Sequence, residues 1–210
     1  QVAFVMQEKR QVNSKYEVTS IGDYSRCIGE NNVDIVLQTF DCGLNLEVQN
    51  FLLRKAKQAE KLKSAITYLV FDAQSTDLVG YFTLVLKSFS ISRDKLSSNN
   101  RKLISRFAEL NERSGEYTTA LYLIAQIGKN YAIEEDLRIT GEDLLNLAIE
   151  KLCDAQKIIG GKLVLVERES ERMKLHDFYK ANGFKSWNSR YDKNDNVQYD
   201  QMIRVIESVA

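Results

Sequence analysis

The chain has 210 residues, of which 44% are apolar and 28% charged, which suits one globular domain with a core of its own. Its 29 Lys and Arg balance 29 Asp and Glu, so attraction to nucleic acid must come from a local basic patch and not from net charge. Three separated cysteines (Cys27, Cys42 and Cys153) and a single histidine exclude a multi-histidine metal site and argue against a Cys-x-x-Cys zinc pair or a disulfide framework; they read as reduced thiols in a cytoplasm.

Residues 1–12 carry no strong signal. Lys15–Ile21 alternates weakly and predicts a first strand. Gly22–Asn32 is polar, with Gly22, Gly29 and Asn31–Asn32, and reads as loop; V-D-I-V-L at 33–37 is too short to assign. Phe40-Asp41-Cys42-Gly43 precedes a predicted helix from Leu46 to Lys63, with Val48, Phe51, Leu52, Ala56, Ala59 and Leu62 at helical spacing on one face. Arg54, Lys55, Lys57, Lys61 and Lys63 lie largely away from it, as a solvated face or as a polyanion contact.

Two strands follow at 65–71 and 78–86, joined by D-A-Q-S-T-D as a hairpin turn. Lys87–Glu116 reads as an insertion over one face of the sheet. It carries Arg93, Lys95, Arg101, Lys102, Arg106 and Arg113, and a short amphipathic helix around Leu103, Ile104, Phe107 and Leu110. T-A-L-Y-L-I-A-Q-I at 119–127 is an apolar strand, and R-I-T-G-E-D-L-L at 138–145 opens an amphipathic helix that stops at Gly160–Gly161. K-L-V-L-V at 162–166 is the next strand, followed by H-D-F-Y-K-A-N-G-F at 176–184. A strand at 187–191, a turn over 192–196 and a closing strand at 198–206 complete the chain. There is no internal repeat, no proline, and no apolar run of membrane-spanning length.

The runs at 119–127 and 162–166 are apolar on both faces, the pattern of parallel, fully covered strands joined by a helical crossover. The start of that crossover helix suits a phosphate: free N–H groups point outward there. Gly141 lets the backbone approach closely, and Arg138 can add a charge-assisted contact. Thr140 as N-cap with Asp143 three residues on also forms a capping box, with Asp in place of Glu, which needs no ligand to explain it.

This order of elements, with F-Y-x-x-x-G-F at 178–184, resembles the GNAT N-acetyltransferases, well over the C-terminal half and more loosely before it. Their phosphate-loop signature is Arg or Gln, two residues, Gly, one residue, then Gly or Ala. Arg138 and Gly141 match it; Asp143 departs from it, and Glu134, Glu135 and Asp136 make the approach acidic. The resemblance implies one α/β domain over 1–210, with a mixed, mostly antiparallel sheet and helices on both faces. It implies acetyl-CoA as co-substrate, held by the strand at Ile124, Ala125 and Gln126 and by Arg138, Thr140, Gly141 and Glu142 at the helix start. Tyr179 would protonate the departing thiolate, since a phenol is neutral at pH 7; its alternative is core packing.

The other ionisable candidates carry less. His176 reads as an exposed helix residue, Glu167 and Glu169 as strand-end carboxylates or a proton relay, and Cys42 as a small buried thiol. F-D-C-G at 40–43, Phe51-Leu52, Ala56, T-Y-L-V at 67–70 and G-Y-F-T-L at 80–84 are similar to the acetyltransferase toxins of bacterial toxin–antitoxin pairs. That branch implies aminoacyl-tRNA as acceptor, an antitoxin as partner and a homodimer as an open assembly state. A small-molecule or protein N-acetyltransferase, or a degenerate partner-binding module of the same fold, are the alternatives.

Overall fold

A computed structural model describes residues 15–193 and 196–207. Residues 1–12, without sequence signal, lie outside it, as does the middle of the predicted turn over 192–196. The chain runs β1 (Tyr16–Ser20), α1 (Ile21–Ile28), α2 (Glu30–Gln38), α3 (Leu46–Arg54), α4 (Ala56–Lys61), β2 (Ile66–Asp72) and β3 (Leu78–Ser92). It continues with α5 (Ser98–Ile104), β4 (Leu110–Asn111), β5 (Glu116–Lys129), α6 (Gly141–Ile159), β6 (Leu163–Glu169), α7 (Met173–Ala181), β7 (Lys185–Asp192) and β8 (Val197–Val205). The sheet order is β1-β2-β3-β5-β6-β8-β7, with β4 beside β5. Among the described residues every pairing is antiparallel except β5 with β6. The expected mixed, mostly antiparallel sheet is therefore present, and its one parallel pair is the one joined by a long helical crossover.

Alternation along the strands sorts the core into two sides. Val70, Phe82, Tyr122, Ile124, Val164 and Val166 face α6 and α7, where Leu144, Leu145, Ala148 and Tyr179 complete one cluster. On the other side Leu69, Phe71 and Tyr81 meet Ile21, Val33, Leu37 and Leu52 from α1–α3. Beside them Leu121, Leu163, Leu165 and Trp187 meet Ile104 of α5. At 19 residues, α6 is roughly 28 Å long and crosses most of its face.

The segment expected as loop, 22–32, is instead α1 and the start of α2. Its polar residues are helix punctuation. Ser20 accepts from the Asp23 N–H at 3.0 Å as N-cap, and Gly29, at φ 85°, ends α1 and starts α2. The fully buried apolar residues that hold the two short helices are few, Ile21, Val33 and Leu37, with Tyr24, Ile28 and Val36 partly buried beside them. The helix expected over 46–63 breaks at Lys55 into α3 and α4. Leu62, expected on the buried face, is exposed, and Glu60 is buried in that region. Its Oε1 accepts from the Gly22 N–H at 2.8 Å and its Oε2 from the Thr67 N–H at 3.4 Å, so α4 is fastened to α1 and β2 through a carboxylate. Between 87 and 116, β3 continues to Ser92 and pairs with the first half of β5. Leu103 and Ile104 lie on α5, whereas Phe107 lies beyond that helix and Leu110 in β4.

Candidate active site

β5 and β6 are paired only from Tyr122–Val164 to Ile124–Val166. Beyond that, β5 follows β3 to Lys129 while β6 follows β8 to Glu169. The register of β3 on β5 passes from Thr83–Gln126 to Leu84–Ile124, so Ala125 is an extra, unmatched residue. A bulge re-aims the strand locally, and here it sits where the parallel strands part.

A cleft of about 1100 Å³ opens at this place. Its walls are Ile127, Gly128 and Lys129 of β5, Gly141 and Leu144 of α6, residues 171–175 with Phe178 and Tyr179 of α7, and the loop 42–45 with Tyr131. Ile124 is core and its side chain faces α6. Of the expected strand contacts, Ile124, Ala125 and Gln126 lie on the stretch leading into the cleft, and the lining side begins at Ile127.

Thr140 is the N-cap of α6, as the sequence reads, but Asp143 returns the bond to the Thr140 hydroxyl and not to its backbone N–H, so only half of the capping box forms. Thr140 Oγ1 accepts from the Asp143 N–H at 3.0 Å and donates to Asp143 Oδ2 at 2.7 Å. The Leu144 N–H reaches the Thr140 carbonyl at 3.1 Å. Among the described residues, none accepts from the N–H groups of Gly141 and Glu142, which leaves two donors at the positive end of a long helix. Gly141 lines the cleft; Thr140 and the exposed Glu142 flank it. Arg138 is spent locally: Nε donates to the Ile133 carbonyl at 3.1 Å and Nη2 to the Tyr131 carbonyl at 3.0 Å, with the guanidinium 5.3 Å from the Tyr131 ring. It ties down the loop that delivers Gly141 and keeps unused N–H donors.

Tyr179 is 3% exposed yet lines the cleft, between the rings of Phe178 and Phe184 at 5.4 and 5.5 Å. Burial pushes its phenol up to about 12, so it is a neutral donor at any physiological pH. His176 is not a lining residue; its Nε2 lies 3.4 Å from Ser186 Oγ. Glu167 points to the opposite face from Val166. Burial disfavours its charge, but hydrogen bonds from Arg190 (3.0 and 2.9 Å) and Gln201 (2.7 Å) outweigh that and hold the carboxyl below its ordinary range. Glu169 pairs with Arg172 at 2.9 Å. Cys42 is buried in the cleft wall, and burial, with Asp41 beside it, pushes its thiol up to about 11, which keeps it protonated and a poor nucleophile.

Two wall-building residues were not singled out in the sequence. A Cβ on Gly128 would stand 2.7 Å from Val48 Cγ1 and 3.1 Å from Cys42 Sγ; a glycine inside an apolar strand is the signal that marks such a close approach. Asn130, 1% exposed, donates to the Leu78 and Thr39 carbonyls at 2.7 and 3.4 Å and accepts from the Asp41 and Ala132 N–H groups, both at 3.0 Å. It hangs the 39–43 loop on the end of β5. Nothing local in the sequence announces that role.

No protein-family model and no curated protein matches this chain. Solved structures do. AtaT in complex with acetyl-methionyl-tRNAfMet superposes with a TM-score of 0.57 at 19% identity, over 88% of this chain and 93% of that one. AtaTR bound with acetyl-CoA gives 0.56 at 18% identity, over 91% and 93%. A tyrosine-to-phenylalanine variant of KacT gives 0.59 at 18% identity, over 89% and 94%. At these identities the likeness establishes the fold, a GNAT-like α/β domain spanning nearly the whole chain.

Proposed function

We propose that this protein transfers the acetyl group of acetyl-CoA to a primary amine by direct attack, and that the amine is the α-amino group of an aminoacyl-tRNA. The observation that carries the reading is the convergence on one cleft of parting parallel strands, two open N–H donors at the start of α6, and the buried phenol of Tyr179. The shared fold with a toxin found with acetyl-methionyl-tRNAfMet and with one bound to acetyl-CoA supports the acceptor and the co-substrate. A complex of AtaT with the C-terminus of the antitoxin AtaR and acetyl-CoA supports an antitoxin as partner.

The pyrophosphate takes the N–H groups of Gly141 and Glu142, and the pantetheine arm runs along Ile127 into the gap between β5 and β6. The amine nitrogen attacks the thioester carbonyl carbon, and backbone N–H groups around the Ala125 bulge face the oxyanion that forms. The C–S bond then breaks, with Tyr179 donating its hydroxyl proton toward the sulfur and taking one back from water before the next turnover. An α-amino group has an ordinary pKa of about 7.7–8.0, so a usable fraction is already the free amine near neutral pH and water suffices to take the proton it releases.

A second reading is favoured by Glu142, Asp143 and the 134–136 acidic run beside the phosphate donors: a module of this fold that has lost the cofactor. Calorimetric titration with acetyl-CoA separates the two. Saturable binding supports the transferase, and no binding by the folded protein supports the module.

A further inference from the structure

Arg168 alternates onto the face of β6 that carries Val164 and Val166, the face covered by α6 and α7; it is 4% exposed and directly across from Asp200 in the β6–β8 register. Burying a guanidinium is costly unless it is paired and hydrogen-bonded, and here the partners are unusual in kind. Nη2 contacts Asp200 Oδ2 at 2.6 Å. Nη1 lies within hydrogen-bond distance of three backbone carbonyls of the segment that follows: Glu169 at 3.0 Å, Ser170 at 2.9 Å and Arg172 at 3.4 Å. Asp200 also accepts from Ser170 Oγ at 2.7 Å, and the Ser170 N–H reaches the Gln198 carbonyl at 2.8 Å.

These bonds wind residues 169–172 around one buried cation, and that segment leads straight into α7. Among the described residues, no side chain caps the start of the helix. Its first carbonyl, that of Arg172, accepts from the N–H groups of Leu175 and His176 and also lies by Arg168. The start of α7 is thus fixed from below by β6 and not by a cap of its own. Residues 171–175 form one wall of the cleft, and Tyr179 lies six residues into the helix, about 9 Å along its axis. We infer that Arg168, neutralised by Asp200, is a positioning residue that sets the start of α7 and thereby aims the Tyr179 hydroxyl into the cleft.

The inference rests on Tyr179 acting as proton donor, and a double-mutant cycle keeps the two apart. Arg168→Lys retains the charge but cannot reach three carbonyls and a carboxylate from one planar fork. In the full chain it should lower kcat by up to about 10²-fold, as a displacement of about 1 Å can, with acetyl-CoA affinity near the parent value. In a Tyr179→Phe background it should cost little further, because the group it aims is gone. If Arg168→Lys does not fold, Asp200→Asn and Ser170→Ala loosen the same segment and carry the same cycle. Losses that multiply in the Tyr179→Phe background, or a parental rate in a folded Arg168→Lys enzyme, overturn the inference. A parental rate for Tyr179→Phe alone overturns the donor role first, and this inference with it.

Discussion

Gly141 packs against Phe178: a Cβ there would stand 3.3 Å from Cε2 and 3.4 Å from Cζ of that ring, close enough to press on it. The glycine therefore sits at a close approach between the start of α6 and α7, the two elements that carry the phosphate donors and the phenol. Gly141→Val has to displace Phe178, whose ring centroid is 5.4 Å from that of Tyr179, and to crowd the N–H groups beside it. Losing one hydrogen bond to a charged phosphate costs about 1.5–3 kcal/mol. Calorimetry should show acetyl-CoA affinity at least about tenfold weaker, with turnover reduced as well. A folded variant with parental affinity would place the phosphates elsewhere.

A second glycine tests the fold alone. A Cβ on Gly22 would overlap Glu60 Oε1, the oxygen that accepts the Gly22 N–H. Gly22→Ala should push the carboxylate away and destabilise by about 1–3 kcal/mol, as overpacking does. Urea denaturation should show a lower midpoint with an unchanged slope. Activity at low temperature should be retained, because Gly22 is not a lining residue of the cleft.

Acceptor binding should respond to basic residues at the cleft before those on α4. Lys57 pairs with Asp34, and Lys61 with Glu30, while Arg101 donates to the Leu96 carbonyl. Lys129 and Lys174 line the cleft. Replacing either by Gln should weaken tRNA binding and reduce its logarithmic salt slope by roughly one counterion. A salt slope equal to that of the parent would remove these lysines from the phosphate contacts.

Glu167 predicts a pH dependence of stability. Its folded carboxyl titrates below its ordinary value of 4.5, so the folded state favours the ionised form. The stabilisation is present above the ordinary carboxylate range and is lost as pH falls through the folded value. Glu167→Gln should lower the melting temperature at pH 7, by an amount equivalent to about 1.5–3 kcal/mol for hydrogen bonds to a charged group. The gap between variant and parent should narrow below about pH 4. A gap independent of pH would show that shape and not charge is what Arg190 and Gln201 recognise.

The part of the chain that was legible is the part whose signals are local. The apolar runs of β5 and β6, the cap at Thr140 and the helical spacing of α6 determine one another within about fifty residues of sequence. The parallel pair and the helix start are therefore legible in the sequence. The N-terminal helices α1 and α2 are not legible because each is short and the stretch between Ile21 and Val33, with its two glycines and two asparagines, holds no fully buried apolar residue. The 42–45 wall depends on Asn130, some ninety residues away, and the buried guanidinium of Arg168 depends on Asp200 across a strand. Such roles are set by tertiary neighbours, and no periodicity marks them. The same is true of Arg138: its charge was legible, whereas its use on the Tyr131 and Ile133 carbonyls was not.

Tyr179→Phe isolates the donor step. The ring packing against Phe178 and Phe184 stays, so thermal stability and acetyl-CoA affinity should stay near parent values. General-acid assistance is worth about 10²–10⁴-fold. A phenol near 12 facing a thiolate whose thiol has an ordinary pKa of about 8.5 transfers its proton only partly, so the loss in kcat should fall toward the lower end. A parental rate in the folded variant would assign Tyr179 to packing.

The most direct test of the function is mass spectrometry of the charged nucleoside. Aminoacylated tRNA is incubated with the protein and acetyl-CoA and digested, and the aminoacyl-adenosine from the 3′ end is weighed. The account predicts an added acetyl group on the amino acid, dependent on both protein and acetyl-CoA and reduced in step with kcat by Tyr179→Phe. Unmodified aminoacyl-adenosine from a protein that binds acetyl-CoA and acetylates another amine would contradict the acceptor, and failure to bind acetyl-CoA at all would contradict the transferase.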